Sequence, residues 1–141
     1  YDLAIFEAGV SRRGEMEALQ KIIQPTLGVL TNMGEAHADG FSDLQEKLNE
    51  KAILFQHASA VICSNEKLNG LSFAHTNIVS WGNENSNTIV IKNIAKQFAE
   101  TSIDFTTGSL NDTITIPFID DASIENAITC LSVCCYLHIP L

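Results

Sequence analysis

Apolar and polar residues fall into short alternating blocks through the first half of the chain. Residues 2–8 form an apolar run closed by Gly9 and Ser11, which predicts a buried strand. Over residues 14–24, Met16, Leu19 and Ile23 recur at helical spacing, and Pro25 blocks continuation. Residues 26–32 predict a second strand, followed by a loop containing Gly34 and Gly40. Ser42 is a good N-cap for a helix over about 43–57. Ala60–Cys63 predicts a third strand, 66–73 a short helix and Ile78–Trp81 a fourth strand. Strands that alternate with helices imply an α/β fold with a mostly parallel sheet flanked by helices.

The pattern changes after Gly82. Three segments rich in β-branched residues follow, at about 88–97, 102–106 and 112–118, separated by Gly108, Asn111 and Asp112. They predict a small antiparallel β-meander, with a second, smaller sheet as one arrangement of it. A helix over 123–138 closes the chain. Ile124, Ile128, Leu131 and Cys135 form one stripe on it, with Cys130, Val133 and Leu137 on another side. Apolar on most faces, this helix is expected to be buried. The resulting division is 1–82 for the α/β part, 83–119 for the antiparallel β part and 120–141 for the C-terminal helix.

The composition narrows the function classes. A length of 141 residues is one ordinary domain, and 45% apolar with 18% charged residues excludes disorder and coiled coil. Acids outnumber bases 17 to 8, and a net charge of −9 disfavours nucleic acid as a partner. No apolar run reaches the roughly 18 residues of a membrane span. Tyr1 and Asp2 stand where the basic start of a secretory signal would be, so no signal peptide is expected, and the four cysteines, read as reduced, imply a cytoplasmic location. Cys63, Cys130, Cys134 and Cys135 form no C-x-x-C pair, and all four read as reduced, small core residues. The chain opens inside an apolar run without Met and stops just past a helix. It is therefore expected to be a piece of a longer protein.

Several nucleotide and hydrolase signatures are absent. No lysine is followed by Ser or Thr, and there is no G-x-G-x-x-G or G-x-S-x-G. Three positions nevertheless suggest chemistry. Glu7 ends the first predicted strand, where open α/β sheets bind ligands. It is either a hard-metal ligand or a solvated strand-end carboxylate. His37 follows the second strand in a glycine-flanked loop, and either turns to a ligand or stays exposed. Lys51 falls in the middle of the Leu44, Leu48 and Phe55 stripe, with Lys47 on its flank. Such a lysine either snorkels outward or has a depressed pKa. A neutral amine can add carbon dioxide to give a carbamate, in effect a carboxylate on a long arm.

Read together, several segments resemble the ATP-binding central domain of the Mur ligases, the ADP-forming amide ligases of peptidoglycan synthesis. They are Glu7-Ala8-Gly9 with Gly14-Glu15-Met16, Pro25 through Asn32, Asn32-x4-His37, Gly40-Phe41, Lys51, and Glu125-Asn126-Ala127 opening the last helix. The His37-x-x-Gly40-Phe41 turn is most similar to the member that adds D-alanyl-D-alanine to the UDP-N-acetylmuramoyl tripeptide. The stretch from Asp120 to Ala127 further resembles the form fused to an alanine racemase. The resemblance implies Glu7 and His37 as Mg²⁺ ligands, and Lys51 as a carbamylated lysine holding a second Mg²⁺. It implies Asn126 at the adenine of ATP and Asn32 shaping the loop of His37. It also implies a substrate contact for Ser11-Arg12-Arg13.

Two departures stand against the family pattern. Its phosphate-binding loop, expected before Glu7, is missing, and Ala122 and Ser123 stand where the family shows His-Asn. The resemblance implies that an acceptor carboxylate attacks the γ-phosphate of ATP, and that an amine then displaces phosphate from the acyl phosphate. The 141 residues alone are expected to be inactive without the phosphate loop. An exposed edge strand is expected beside the first strand, with dimer formation as one way to cover it. The rival readings are another Mur ligase, a folylpolyglutamate synthase central domain, or a folded scaffold that binds nothing.

Overall fold

The computed structural model describes residues 3–31, 40–68, 71, 73 and 76–140. Its elements run α1 (Glu15–Ile23), β1 (Leu27–Val29), α2 (Leu44–Ile53), β2 (Ala60–Ser64), β3 (Asn77–Gly82), β4 (Ile89–Gln97), β5 (Glu100–Thr107), β6 (Leu110–Ile116) and α3 (Asp121–Tyr136). A single 3₁₀ turn, Asn65–Leu68, follows β2. All six strands join one sheet in the order β1-β2-β3-β4-β5-β6. The first three pairings are parallel and the last two antiparallel.

β2 explains the layering. All five of its residues are buried. Successive side chains on a strand point to opposite faces. Ile62 enters a core with Val79, Ile89, Ile103, Phe105, Ile124, Ile128 and Leu131, beneath α3. Val61 and Cys63 enter the other core, with Met16, Leu30, Leu48, Leu54 and Phe55, beneath α1 and α2. Strands sandwiched between helical layers read as continuous apolar runs rather than alternating ones. Gly28 of β1 admits a close packing there: a Cβ at that position would lie 2.6 Å from the Phe55 ring.

The two helices of one face are joined by a polar contact. Gly14 and Met16 donate their backbone N–H groups to the Glu50 carboxylate at 2.7 and 3.2 Å. Glu50 is buried, and it fills the role that a side-chain cap would take at the α1 N-terminus, where Gly14 offers none. Gly14 itself stands at φ 85°, in the left-handed region where a Cβ would be strained.

Four local expectations are corrected first. Residues 3–8 of the run predicted over 2–8 join no ladder, and residues 3–7 are exposed, Ile5 at 87%. An apolar run becomes a strand only where a neighbour completes its hydrogen bonds, and β1 pairs only with β2 among the described residues. The N-cap of α2 is Asp43, not Ser42. The Asp43 side chain accepts from the Glu46 N–H at 2.7 Å, while Ser42 donates N–H and Oγ–H to the Glu46 carboxylate. α2 also stops at Ile53, because residues 54–56 tighten into i→i+3 bonds. Of the helix predicted over 66–73, the described residues form only the 3₁₀ turn Asn65–Leu68, and Leu71 and Phe73 lie outside any helix.

The meander does not form a second sheet. Trp81 and Gly82 of β3 pair in parallel with Ile89 and Val90 of β4 after a short detour over 83–88. Asn87 closes that detour, donating its N–H and Nδ2–H to the Glu84 carbonyl at 3.1 and 2.9 Å. The chain thus steps over by one strand and continues in the same direction. The antiparallel strands extend the parallel core, and Ile103 and Phe105 are buried in it.

α3 covers the sheet with one face only. Ile124, Ile128 and Leu131 are buried, but Cys130 and Leu137 are exposed. Of the four cysteines, all free, Cys63 alone is a fully buried core residue; Cys134 and Cys135 are half-buried. Burial pushes the Cys63 thiol up to about 11, so it is inert at neutral pH.

Ile62→Ala is expected to destabilise the chain by about 2–5 kcal/mol, the range for emptying a fully buried aliphatic site. A urea titration checks it: the midpoint falls while the slope stays constant.

Candidate functional site

The carboxyl ends of β2 and β3 are where an open α/β sheet presents its ligand site. The residues gathered there come from three elements. Lys51 sits in the last turn of α2 and is half-buried, with Leu48 one turn before it and Leu54 and Phe55 just after it in the core. Leu44, expected on the same stripe, is 58% exposed, so the apolar setting of Lys51 comes from the C-terminal half of the helix and the turn beyond it. Burial lowers the Lys51 pKa, and the ammonium groups of Lys47 and Lys67 lower it further. Desolvation and like charge both disfavour the protonated amine.

Lys67 lies on the 3₁₀ turn that leaves β2. It pairs with Glu125 of α3 across 58 residues of sequence, and the two side chains are only 15% and 29% exposed. This pair ties the end of β2 to the start of α3. The start of α3 is itself capped: the Asp120 side chain accepts from the Ser123 N–H at 2.8 Å. Asn126, the residue after Glu125, is exposed on that same part of the helix.

A second group of loops meets at the start of α2. Glu15 accepts from the N–H groups of Ser11 and Arg12 at 2.7 and 3.0 Å, and those bonds hold its carboxyl below the usual range. Arg13 pairs with Glu46. Gly40 stands at φ 100°, and a Cβ there would lie 2.6 Å from the Ser11 carbonyl oxygen. Only glycine fits that left-handed close approach. The loop after Glu7 therefore lies against Gly40.

Of the residues singled out from sequence, Lys51 is brought into a charged, half-buried cluster, and Asn126 onto the turn tied to it by Lys67–Glu125. Glu7 is exposed and forms no hydrogen bond or ion pair with Lys51. Asn32 and His37 lie outside the described residues. Among the described residues, no group of three His, Cys, Asp or Glu side chains could hold a metal. Lys67 was missed. Its signal was its place directly after the apolar run of β2, the same strand-end position that drew attention to Glu7.

A mixed sheet between helical layers, parallel over β1–β4 and antiparallel over β4–β6, defines an open α/β domain. The chain belongs to the Mur ligase middle domain family, which it matches over residues 1–134. It is 30% identical over 131 residues to the UDP-N-acetylmuramoyl-tripeptide–D-alanyl-D-alanine ligase of Rickettsia prowazekii, covering 84% of this chain and 28% of that protein. It is 22% identical over 137 residues to the ligase of the same name from Haemophilus influenzae, covering 89% and 28%. Its fold matches MurF from Acinetobacter baumannii with a TM-score of 0.77, at 18% identity, over 94% of this chain and 30% of that one. The MurF ligase of Thermotoga maritima in complex with ADP matches with a TM-score of 0.73, at 21% identity, over 93% and 32%. The chain thus spans less than a third of the length of these relatives. Among the described residues, no helix is long and apolar enough to cross a membrane.

The Lys51 setting has a signed consequence for stability. The folded state releases the Lys51 proton below the ordinary value of 10.5, and the unfolded state keeps it up to that value. Between the two, the unfolded chain binds more protons, so stability rises with pH across that window. Cys63 acts in the opposite sense between 9.0 and about 11. Lys51→Met is therefore expected to flatten the alkaline rise relative to wild type, measured as the difference in urea midpoint across the pH series.

Proposed function

We propose that this chain is the ATP-handling part of a ligase that joins D-alanyl-D-alanine to UDP-N-acetylmuramoyl tripeptide in peptidoglycan synthesis. The observation that carries the reading is the half-buried Lys51, acidified by burial and by Lys47 and Lys67, in a chain of the Mur ligase middle domain family. The shared name of the Rickettsia and Haemophilus relatives supports the choice of D-alanyl-D-alanine over another amine. The UDP-linked acceptor and the acidic composition fit a cytoplasmic enzyme.

The reaction begins with the acceptor carboxylate attacking the γ-phosphate of ATP. The bond between the γ-phosphorus and the β,γ-bridging oxygen breaks, ADP leaves and an acyl phosphate forms. The amine of D-alanyl-D-alanine then attacks the acyl carbon, phosphate departs and the amine loses a proton. The first step brings two anions together, and Mg²⁺ would supply the charge that offsets their repulsion.

The residues of this chain fit that ion in their chemistry. Glu7 offers an exposed carboxylate, and a carbamate on Lys51 would add the oxygen ligand that a hard cation prefers. His37 would complete the set on the family pattern, with Asn32 shaping its loop. The acidified amine of Lys51 favours the carbamate, because only the neutral amine adds carbon dioxide. Asn126 on the exposed face of α3 would meet the adenine. A Lys51 carbamate would also ease the crowding of positive charge among Lys47, Lys51 and Lys67.

Two measurements test this reading. With ¹³C-bicarbonate, the protein is expected to give one carbamate resonance that disappears in Lys51→Arg; no resonance in the wild type overturns the Lys51 assignment. In the complete ligase that carries this chain, Lys51→Ala is expected to lower ADP release by roughly 10²-fold or more, as loss of a preorganised charge-stabilising group does. Restored turnover on adding a short-chain carboxylic acid would identify the missing group as a carboxylate equivalent.

A further inference from the structure

The Lys67–Glu125 pair has features that a surface ion pair lacks. It is shielded on both sides, whereas Lys96–Asp121, a few residues away on α3, leaves its aspartate 95% exposed. Exposed pairs contribute little, whereas removing one partner of a shielded pair leaves an uncompensated charge that is costly. The 3₁₀ turn that carries Lys67 has no buried residue of its own, so the turn has few other means of holding α3. Glu125 is fixed within its helix as well, since its carbonyl accepts from the Thr129 hydroxyl at 2.9 Å. Lys67 is also close enough to Lys51 and Cys63 for its charge to act on both. One ammonium thus stands between the end of β2, the last turn of α2 and the first turns of α3.

We propose that the Lys67–Glu125 pair is a positioning strut for nucleotide binding, holding the first turns of α3, with Asn126, against the end of β2 beside Lys51. The inference rests on the ATP-dependent reading above, because it concerns where the nucleotide-facing turn sits. Neither residue touches the reacting atoms in this proposal. The strut narrows the range of positions open to Asn126 before nucleotide arrives, and so reduces the ordering that binding requires.

The test uses Glu125→Gln, Lys67→Met, their double variant and Lys67→Arg in the complete ligase carrying this chain, with ADP as the probe. Glu125→Gln keeps the Lys67 ammonium beside Lys51 and Lys67→Met removes it, so the two variants change the charge at Lys51 in opposite senses while both break the pair. Each single variant is expected to bind ADP about fivefold more weakly by calorimetry. The double variant is expected to match the singles, as a coupled pair requires, and Lys67→Arg to bind as wild type does. Amide hydrogen exchange provides an independent readout: protection falls over residues 124–127 in the singles, while β2 amides keep wild-type protection. Unchanged ADP affinity with unchanged exchange at 124–127 overturns the strut, and so do additive losses in the double variant. Wild type that binds no ADP overturns the ATP-dependent reading instead, and the exchange data then still decide whether the pair holds α3.

Discussion

The fold depends on one constraint: β2 must be dry on both faces. Its five consecutive residues are buried, and their alternation sends Ile62 into one core and Val61 and Cys63 into the other. A strand of that kind has no solvent face, so helices have to cover both sides. α3 covers the Ile62 side, and α1 and α2 cover the side of Val61 and Cys63. The ligand edge follows from the same geometry. Parallel strands place their carboxyl ends together, and the segments that leave those ends gather at one rim. Lys67 lies there because it follows β2 directly, and it reaches Glu125 because α3 must pack over β2 and β3.

Polar contacts arrange what the apolar cores leave open. Glu50 gives the α1 N-terminus the acceptor its own sequence lacks, and in doing so locks α1 to α2. The close approach at Gly40 and the Arg13–Glu46 pair bring the loop after Glu7 against the start of α2. Lys51 occupies the end of α2, where the turn beyond Ile53 tucks Leu54 and Phe55 into the core beneath it. Its acidity has a cause that a surface lysine lacks: partial burial reinforced by two neighbouring ammonium groups.

Much of this was legible in the residues. Helical spacing of Met16, Leu19 and Ile23, the apolar block at 60–63 and the β-branched segments after Gly82 each matched an element of the right type. Lys51 stood out because a lysine interrupted an apolar stripe, although Leu44 was the wrong partner and Phe55 lies beyond the helix rather than on it. The strand expected over 2–8 failed for a reason the sequence could not contain. Leu3, Ile5 and Phe6 are apolar enough, but strand formation is decided by the presence of a neighbour and not by the run itself. Cysteine burial was overestimated on α3 because periodicity reports which residues share a face, not how much of the helix a sheet will cover.

The sequence by itself determined the α/β class, the order of its elements and the family, since periodicity, breakers and motif spacing are local properties carried along the chain. Tertiary structure alone decided that the meander continues the parallel sheet, because that outcome hangs on the pairing of Trp81 with Ile89 across the detour at 83–88. It alone decided the capping of α1 by Glu50, 34 residues beyond Met16, and the pairing of Lys67 with Glu125 across 58. Contacts between residues so far apart depend on where packing brings whole elements, and no window of sequence contains that information.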